Sequence, residues 1–405
     1  MRLGEKKNLA LVLSGGGIKA AAFHIGVCLA MREKGFRFAG GSPEHVASVF
    51  TDNKLTFKTY VGSSAGAIIS AFIAAGYDID SIIEAFTKGS GLSISPSRKK
   101  HYDPNPAYLR PLSYRDLFAL NVRASHPSRI FSSFFRKKPV ISGGIEVLLK
   151  RGFKVNGIFS TENIEKYIRE NVHPKNTFAS LGVNLYIVAT QLNHARKVVF
   201  GNFAETSKDD QVQYANFASV SQAAAASASL PPFFSPYPIH DNRGREIYYF
   251  DGEIRDTLST HVAADRGADL VVASYSIQPY HYSKEIGSLH EYGMPVIFNQ
   301  ALYQSVQQKI TSHIKYQKSV GQLISAVDGY LKQTDISIEH REKLIDILVT
   351  RTKYNANVDY IYIHPSPQDY EMFFADHFSL NPDILAKIVK TGFKSAMLAL
   401  RKQTI

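Results

Sequence analysis

An α/β fold with a mostly parallel central sheet is what this sequence predicts, and three observations predict it. Asn8 to Leu13 is a short apolar run that stops at Ser14-Gly15-Gly16-Gly17, and a helical pattern follows. Thr56 to Val61 is a second strand-like run that stops at Gly62-Ser63-Ser64-Ala65-Gly66, and an apolar helix follows again. Further short apolar runs, such as Leu270 to Tyr275, are bounded by turn residues as buried strands are. Strand, glycine turn and helix in repeated order mark parallel strands linked by helices, because each helix carries the chain back to the start of the next strand.

The first helix, Ile18 to Glu33, places Phe23, Val27, Ala30 and Met31 at near-helical spacing and closes at Gly35. The second, Ala67 to Ala75, ends at Gly76. From about Ser90 to Ser142 the pattern breaks. Pro96, Pro104, Pro106, Pro111, Pro127 and Pro139 prevent a long helix, and seven aromatics from Tyr102 to Phe135 are interleaved with basic residues. This segment, 90–142, reads as an insertion, either a flap or binding surface or a solvated loop. Order resumes at Gly144 to Arg151 and at Ser160 to Glu170, where Ser160 and Thr161 offer N-caps. Val183 to Thr190 and Lys197 to Phe200 read as strands of a hairpin. Ala218 to Leu230 is almost all alanine and serine and breaks at Pro231-Pro232. Ile247 to Phe250 is a strand that runs into Asp251-Gly252-Glu253. Val296 to Leu348 has mostly helical spacing, and Val358 to Pro365 is a late strand.

Asn381-Pro382 predicts a last helix, with an N-cap followed by proline at its first position. On it Lys387, Lys390, Lys394 and Arg401 form a stripe opposite Ile384, Leu385, Ile388, Val389, Phe393 and Leu400. Interfacial membrane helices and core-capping helices share that pattern, and the wide apolar arc without tryptophan favours the cap.

Composition bounds the function. The 405 residues are 44% hydrophobic and 20% charged, which excludes a disordered chain and allows a large core. The net charge of +12 is concentrated, because between Pro96 and Pro139 ten lysines and arginines stand against two aspartates. Such a segment is drawn to an anionic membrane surface or to nucleic acid. The one cysteine, Cys28, lies in an apolar run and reads as a buried hydrophobe rather than a nucleophile. No intramolecular disulfide is possible, which fits a reducing, cytoplasmic setting. Leu9 to Leu13 is too short for a signal-peptide core, and no run approaches the roughly 18 apolar residues of a membrane span. A soluble protein, peripheral to a membrane at most, is expected.

Two glycine turns carry chemistry. Gly62-Ser63-Ser64-Ala65-Gly66 matches Gly-x-Ser-x-Gly, in which a serine is exposed on the strained turn between strand and helix. The register puts Ser64 at the apex and turns the Ala65 N–H and the helix N-terminus toward developing negative charge. Successive N–H groups of Gly15, Gly16 and Gly17 can converge on one oxygen, as an oxyanion hole or as a nucleotide loop. The nucleotide reading wants an acid at the end of the second strand, and that strand ends in the serine turn instead. Asp251, at the end of an apolar strand, is a candidate base for Ser64.

Together "LALVLSGGGIKAAAFHIGV", "YVGSSAGAIISAF", "AAAASASLPPFFSPY" and "YYFDGEIRDTLS" resemble the patatin-like phospholipase family, in order and over roughly residues 8 to 280. The resemblance implies a three-layer α/β/α sandwich and hydrolysis of fatty acyl esters, phospholipids and lysophospholipids included. It implies a Ser–Asp dyad, with Ser64 as nucleophile, Asp251 as base, and Gly15, Gly16, Gly17 and Ala65 at the oxyanion hole. No cofactor and no metal are expected, since no Cys/His cluster or Asp-rich loop has metal-ligand spacing. Two positions depart from the family pattern, which usually has glycine at Ala20 and glycine or alanine at Glu253. An inward Glu253 is expected to raise the Asp251 pKa by like-charge repulsion.

His261, His281, His290, His313, His340 and His364 all follow Asp251, so chain order leaves a Ser-His-Asp triad open. His24 reads as a packed helix histidine. The expected organisation is a catalytic domain at 8–290 and a mainly helical extension at 291–405 packed on it. The expected partners are an acyl-ester lipid and an anionic membrane, rather than nucleic acid. The rival readings are a triad esterase or thioesterase on soluble substrates, and a non-catalytic binder of anionic membranes.

Overall fold

The computed structural model describes residues 3–88, 109–121 and 156–403, apart from positions 53, 195, 209, 210, 353, 356 and 402. Most of the basic-aromatic segment and the ordered stretch expected at Gly144 to Arg151 lie outside the described residues.

In chain order, β1 (Leu9–Leu13) leads into α1 (Gly17–Glu33), β2 (Arg37–Phe38) and α2 (Pro43–Val49). Then come β3 (Thr56–Ser63), α3 (Ala65–Ala74) and α4 (Ile79–Lys88). The described part of the insertion holds α5 (Tyr114–Leu117) and β4 (Ala119–Leu120), and β5 (Phe159–Ser160) and α6 (Glu162–Tyr167) follow it. The middle of the chain forms β6 (Asn184–Gln191), β7 (Arg196–Phe200), β8 (Ser207–Lys208), β9 (Val212–Ala215) and α7 (Val220–Ser227). Next are β10 (Tyr237–His240), β11 (Glu246–Asp251), α8 (Thr260–Ala264) and β12 (Leu270–Ser274). The C-terminal region consists of α9 (Met294–Leu331), α10 (Ile338–Thr352), β13 (Asp359–Ile363), α11 (Tyr370–Phe374) and α12 (Pro382–Leu400).

The sheet runs β13-β12-β1-β3-β6-β7-β9-β8, with β2 beside β3 and the β10–β11 hairpin on the end of β6. The five strands from β13 to β6 are parallel to one another, whereas β6 to β7 and β11 to β6 are antiparallel. The parallel strands read as continuous apolar runs because both faces of the sheet are covered. In β1 alternate residues divide between two cores: Leu9, Leu11 and Leu13 pack with α1, α3 and α12, and Ala10 and Val12 with α8 and Ile310 of α9. This is the α/β sandwich that the strand–turn–helix repeats predict.

Two features of the topology go beyond the sequence reading. The late strand β13 is no appendage to a helical extension, since it pairs in parallel with β12 from Leu270↔Asp359 to Ser274↔Ile363. Asp251 ends an antiparallel strand, because β11 folds back on β6 with Asp251 opposite Ala189. As expected, Asn381 caps α12, its side chain accepting from the Asp383 and Ile384 N–H groups. The apolar face of α12 lies on α1 and its Lys387, Lys390 and Lys394 are exposed, so the packing is that of a core cap. Among the described residues no helix is long and apolar enough to cross a membrane.

Candidate active site

Sheet register assembles the site. Ser63 at the end of β3 pairs with Val188 of β6, and the next residue of β6, Ala189, pairs with Asp251. One strand therefore separates the serine turn from the aspartate, at the same height in the sheet. Ser64 is the apex of the turn, with φ 52° and ψ −123°. A non-glycine residue at positive φ costs on the order of 1–3 kcal/mol and persists only where the surroundings enforce it. Here the glycines on either side allow the chains to close. A Cβ at Gly62 would stand 2.5 Å from the Ala67 Cα, and one at Gly66 2.1 Å from the Leu13 carbonyl oxygen. The Ser64 N–H donates to Ser227 Oγ at 2.8 Å, and Ser227 Oγ donates to the Val188 carbonyl at 2.5 Å. The Ala/Ser-rich helix α7 is thus the buttress of the turn. Just beyond α7, the Ser229 carbonyl accepts the Asp251 N–H at 3.1 Å.

The Ser64 hydroxyl lies close enough to the Asp251 carboxylate to favour its ionised form. Asp251 is fully buried, and burial lifts its pKa to about 6, with the Ser64 hydroxyl and the Glu253 N–H pulling it back. The expected repulsion between the two acids exists but falls on the other partner. Burial first, and then the charge of Asp251, push the Glu253 carboxyl well above its ordinary value. Burial, not the Glu253 charge, is what raises Asp251.

Glu253 does point inward. Its Oε1 accepts the Gly15 N–H at 2.8 Å. A Cβ at Gly15 would lie 2.6 Å from Glu253 Cγ and 2.8 Å from Ser64 Cβ, so these side chains face each other across Gly15. Of the four amides expected at the oxyanion hole, Gly15 is therefore engaged. Those of Gly16, Gly17 and Ala65 have no protein acceptor among the described residues. Gly17 opens α1 and Ala65 opens α3, so two helix N-termini converge beside Ser64 and favour negative charge there. An apolar groove leads to Ser64, lined by Ile18, Phe86, Leu117, Phe118, Phe234 and Phe378 among others. A roomier cleft around Gln191, Asp241 and Arg245 is charged and brings no nucleophile to a base.

Among the described residues no histidine hydrogen-bonds Ser64 or Asp251. His261 meets Lys197 at 2.5 Å, His313 meets Thr260 at 3.2 Å, His340 meets Ser337 at 2.7 Å and His290 meets Ser288 at 2.8 Å. His364 stacks on Tyr275, and His281 is exposed. His24 is buried in α1 between Ser274 Oγ at 2.8 Å and the Ser14 carbonyl at 2.9 Å. Burial holds Cys28 at a pKa of about 12, an unreactive thiol. The described residues include no group of three or more His, Cys, Asp or Glu arranged to hold a metal.

Sequence reasoning missed two residues. Ser227 lies in the quoted run of alanines and serines, where nothing singles it out from its neighbours. His377 touches the glycine loop from the far end of the chain, and nothing in its local sequence marks it. The family model for patatin-like phospholipases matches residues 11–264. No curated protein matches the chain.

Proposed function

The chain belongs to the patatin-like phospholipase family, a family of lipid acyl hydrolases, and from that premise we propose that it cleaves fatty acyl ester bonds of phospholipids or lysophospholipids with a Ser64–Asp251 dyad. The observation that carries this reading is the Ser64 hydroxyl held on a strained turn against the buried Asp251 carboxylate. As Ser64 Oγ attacks the acyl carbon, its proton passes to Asp251. A base with a pKa of about 6 is ionised at neutral pH yet binds a proton better than an ordinary carboxylate. The carbonyl oxygen becomes an alkoxide facing the Ala65, Gly16 and Gly17 N–H groups. Each such donor is worth on the order of 10²–10³ in rate. The tetrahedral intermediate collapses, the leaving alcohol takes the proton from Asp251, and the acyl group stays on Ser64. Water then attacks the acyl-serine and Asp251 takes its proton; as the tetrahedral intermediate collapses Asp251 returns that proton to Ser64 Oγ, and the acid is released. The apolar groove suits an acyl chain and supports lipid as the substrate.

Mass spectrometry of products from mixed lipids, run beside Ser64→Ala, tests the proposal. Release of fatty acid that depends on Ser64, and fluorophosphonate labelling at Ser64 but not lost in Ser63→Ala, are the expected results. Undiminished turnover by Ser64→Ala would remove the reading. We further propose that the basic-aromatic segment docks on anionic membranes, on the strength of its composition. Neutralising Arg136, Lys137 and Lys138 is expected to weaken sedimentation with anionic vesicles, at about 1 kcal/mol per charge, and to spare hydrolysis of a short soluble ester. Equal losses on both would sink it.

A further inference from the structure

The family match ends at residue 264, but the glycine loop and the groove are both touched by a segment far beyond it. Lys19 Nζ, on the first turn of α1, donates to Tyr303 Oη of α9 at 2.5 Å and to the Met372 carbonyl at 3.0 Å. Tyr303 Oη lies 2.9 Å from His377 Nε2, and His377 Nδ1 lies 3.4 Å from the Gly16 carbonyl oxygen. A carbonyl can only accept, so Nδ1 carries the ring proton. Nε2 then accepts from the Tyr303 hydroxyl, whose oxygen accepts from Lys19. The chain of donors has one consistent direction, and it ends on Gly16. Burial, and then the charge of Lys19, hold the His377 ring neutral, as that direction requires.

The backbone adds to this. The His377 carbonyl accepts the Lys19 N–H at 3.3 Å, and a Cβ at Gly17 would stand 2.5 Å from that same oxygen. The space outside the loop is thus filled by His377, and only glycine fits beneath it at φ 70°. The next residue, Phe378, makes edge contacts with Phe118, Phe233 and Phe234 at ring distances of 5.6, 5.2 and 6.4 Å, and lines the groove that reaches Ser64.

We propose that His377 and Phe378 complete the active site from outside the family-matched residues: His377 is a positioning residue that fixes the Gly16–Gly17 amides, and Phe378 determines which acyl chains the groove accepts. The inference rests on the reading of Ser64 as the nucleophile. A loop amide displaced from the oxyanion loses its donation in the transition state, so kcat falls while binding of the chain is untouched. A smaller side chain in the groove wall changes the chain lengths that pack against it, by a few-fold to about a hundredfold between neighbours in size.

The experiment uses the full chain and a series of p-nitrophenyl esters from butyrate to palmitate. His377→Ala is expected to lower kcat at least tenfold on every ester with KM little changed. His377→Asn, whose side-chain N–H₂ can still reach the Gly16 carbonyl, is expected to recover much of that loss. Phe378→Ala is expected to raise the ratio of palmitate to butyrate turnover by about tenfold with fluorophosphonate labelling retained. Phe378→Leu and Tyr303→Phe serve if an alanine variant fails to fold. A folded His377 variant with parental kcat, or a folded Phe378 variant with the parental chain-length profile, overturns the inference. Hydrolysis that survives Ser64→Ala overturns instead the reading beneath it, so the two failures are told apart.

Discussion

Two carboxyl groups stand two residues apart on one turn, and their surroundings divide them. Asp251 meets the Ser64 hydroxyl and the Glu253 N–H, while Glu253 meets the Gly15 N–H and the charge of Asp251. Activity on a short soluble ester is expected to rise with pH through about 6, because Asp251 must lose its proton before it can take one. The Glu253 charge is not among the causes that raise Asp251, so Glu253→Gln is expected to leave that limb in place. A limb displaced a unit or more to lower pH in that variant would show that Glu253 is charged when Asp251 titrates. The burial that tunes Asp251 also burdens the fold. A rise from 3.8 to about 6 corresponds to about 3 kcal/mol against the ionised form. The folded protein holds this proton more tightly than the unfolded chain. The stability it contributes is therefore full below about pH 4 and lost as pH rises through about 6. Asp251→Asn is expected to be about 10⁴-fold less active yet to melt above the parent at about pH 8. The gap should close toward about pH 4, and a parent more stable than the variant at both pH values would count against this account.

Legibility at the level of elements follows how local each signal is. The units β1–α1 and β3–α3 can be read from sequence because strand, glycine turn and helix lie within a few dozen residues and each has its own pattern. The antiparallel return of β11 onto β6 and the parallel pairing of β13 with β12 depend on register between distant segments, which no local pattern records. The amphipathic stripe of α12 gives a buried face but not its partner. That partner is α1, and the contact is made by glycines. A Cβ at Gly26 would stand 2.0 Å from the Val389 carbonyl oxygen, and one at Gly392 2.2 Å from the Phe23 carbonyl oxygen. Glycine inside a helix costs about 1 kcal/mol relative to alanine, whereas overpacking costs typically 1–3 kcal/mol. With backbone on the receiving side, the clash wins. Gly392→Ala is expected to lower the melting temperature by several degrees. Gly329→Ala in α9, where a Cβ meets nothing within 4 Å, is expected to raise it slightly. Calorimetry of the two variants checks both signs, and a stabilised Gly392→Ala protein would mean that the two helices are not held this closely.

Across the whole molecule, the regions on either side of the boundary expected at residue 290 share a sheet and a core. The serine, the aspartate and the glycine loop are legible because each is a compact motif. The contribution of the last hundred residues is not, because His377 reaches Gly16 only through the fold. Without residues 291–405 the apolar strand β12, whose five residues are all buried, would present an open edge. The α1 surface around Phe23 and Gly26 would lose α12, and the face of Ala10, Val12 and Val271 would lose Ile310. An unpaired, flat, apolar edge is a site for aggregation, and the lost helices expose two faces of the core at once. Residues 1–290 expressed alone are therefore expected to be insoluble, or to bind a hydrophobic dye and melt without a cooperative transition. Restoring the missing part as a separate chain, residues 291–405 co-expressed with the first, is expected to recover soluble complex and Ser64-dependent labelling. If instead residues 1–290 fold cooperatively and label at Ser64 on their own, they form a self-sufficient catalytic domain, and the C-terminal region is an accessory that merely leans on it.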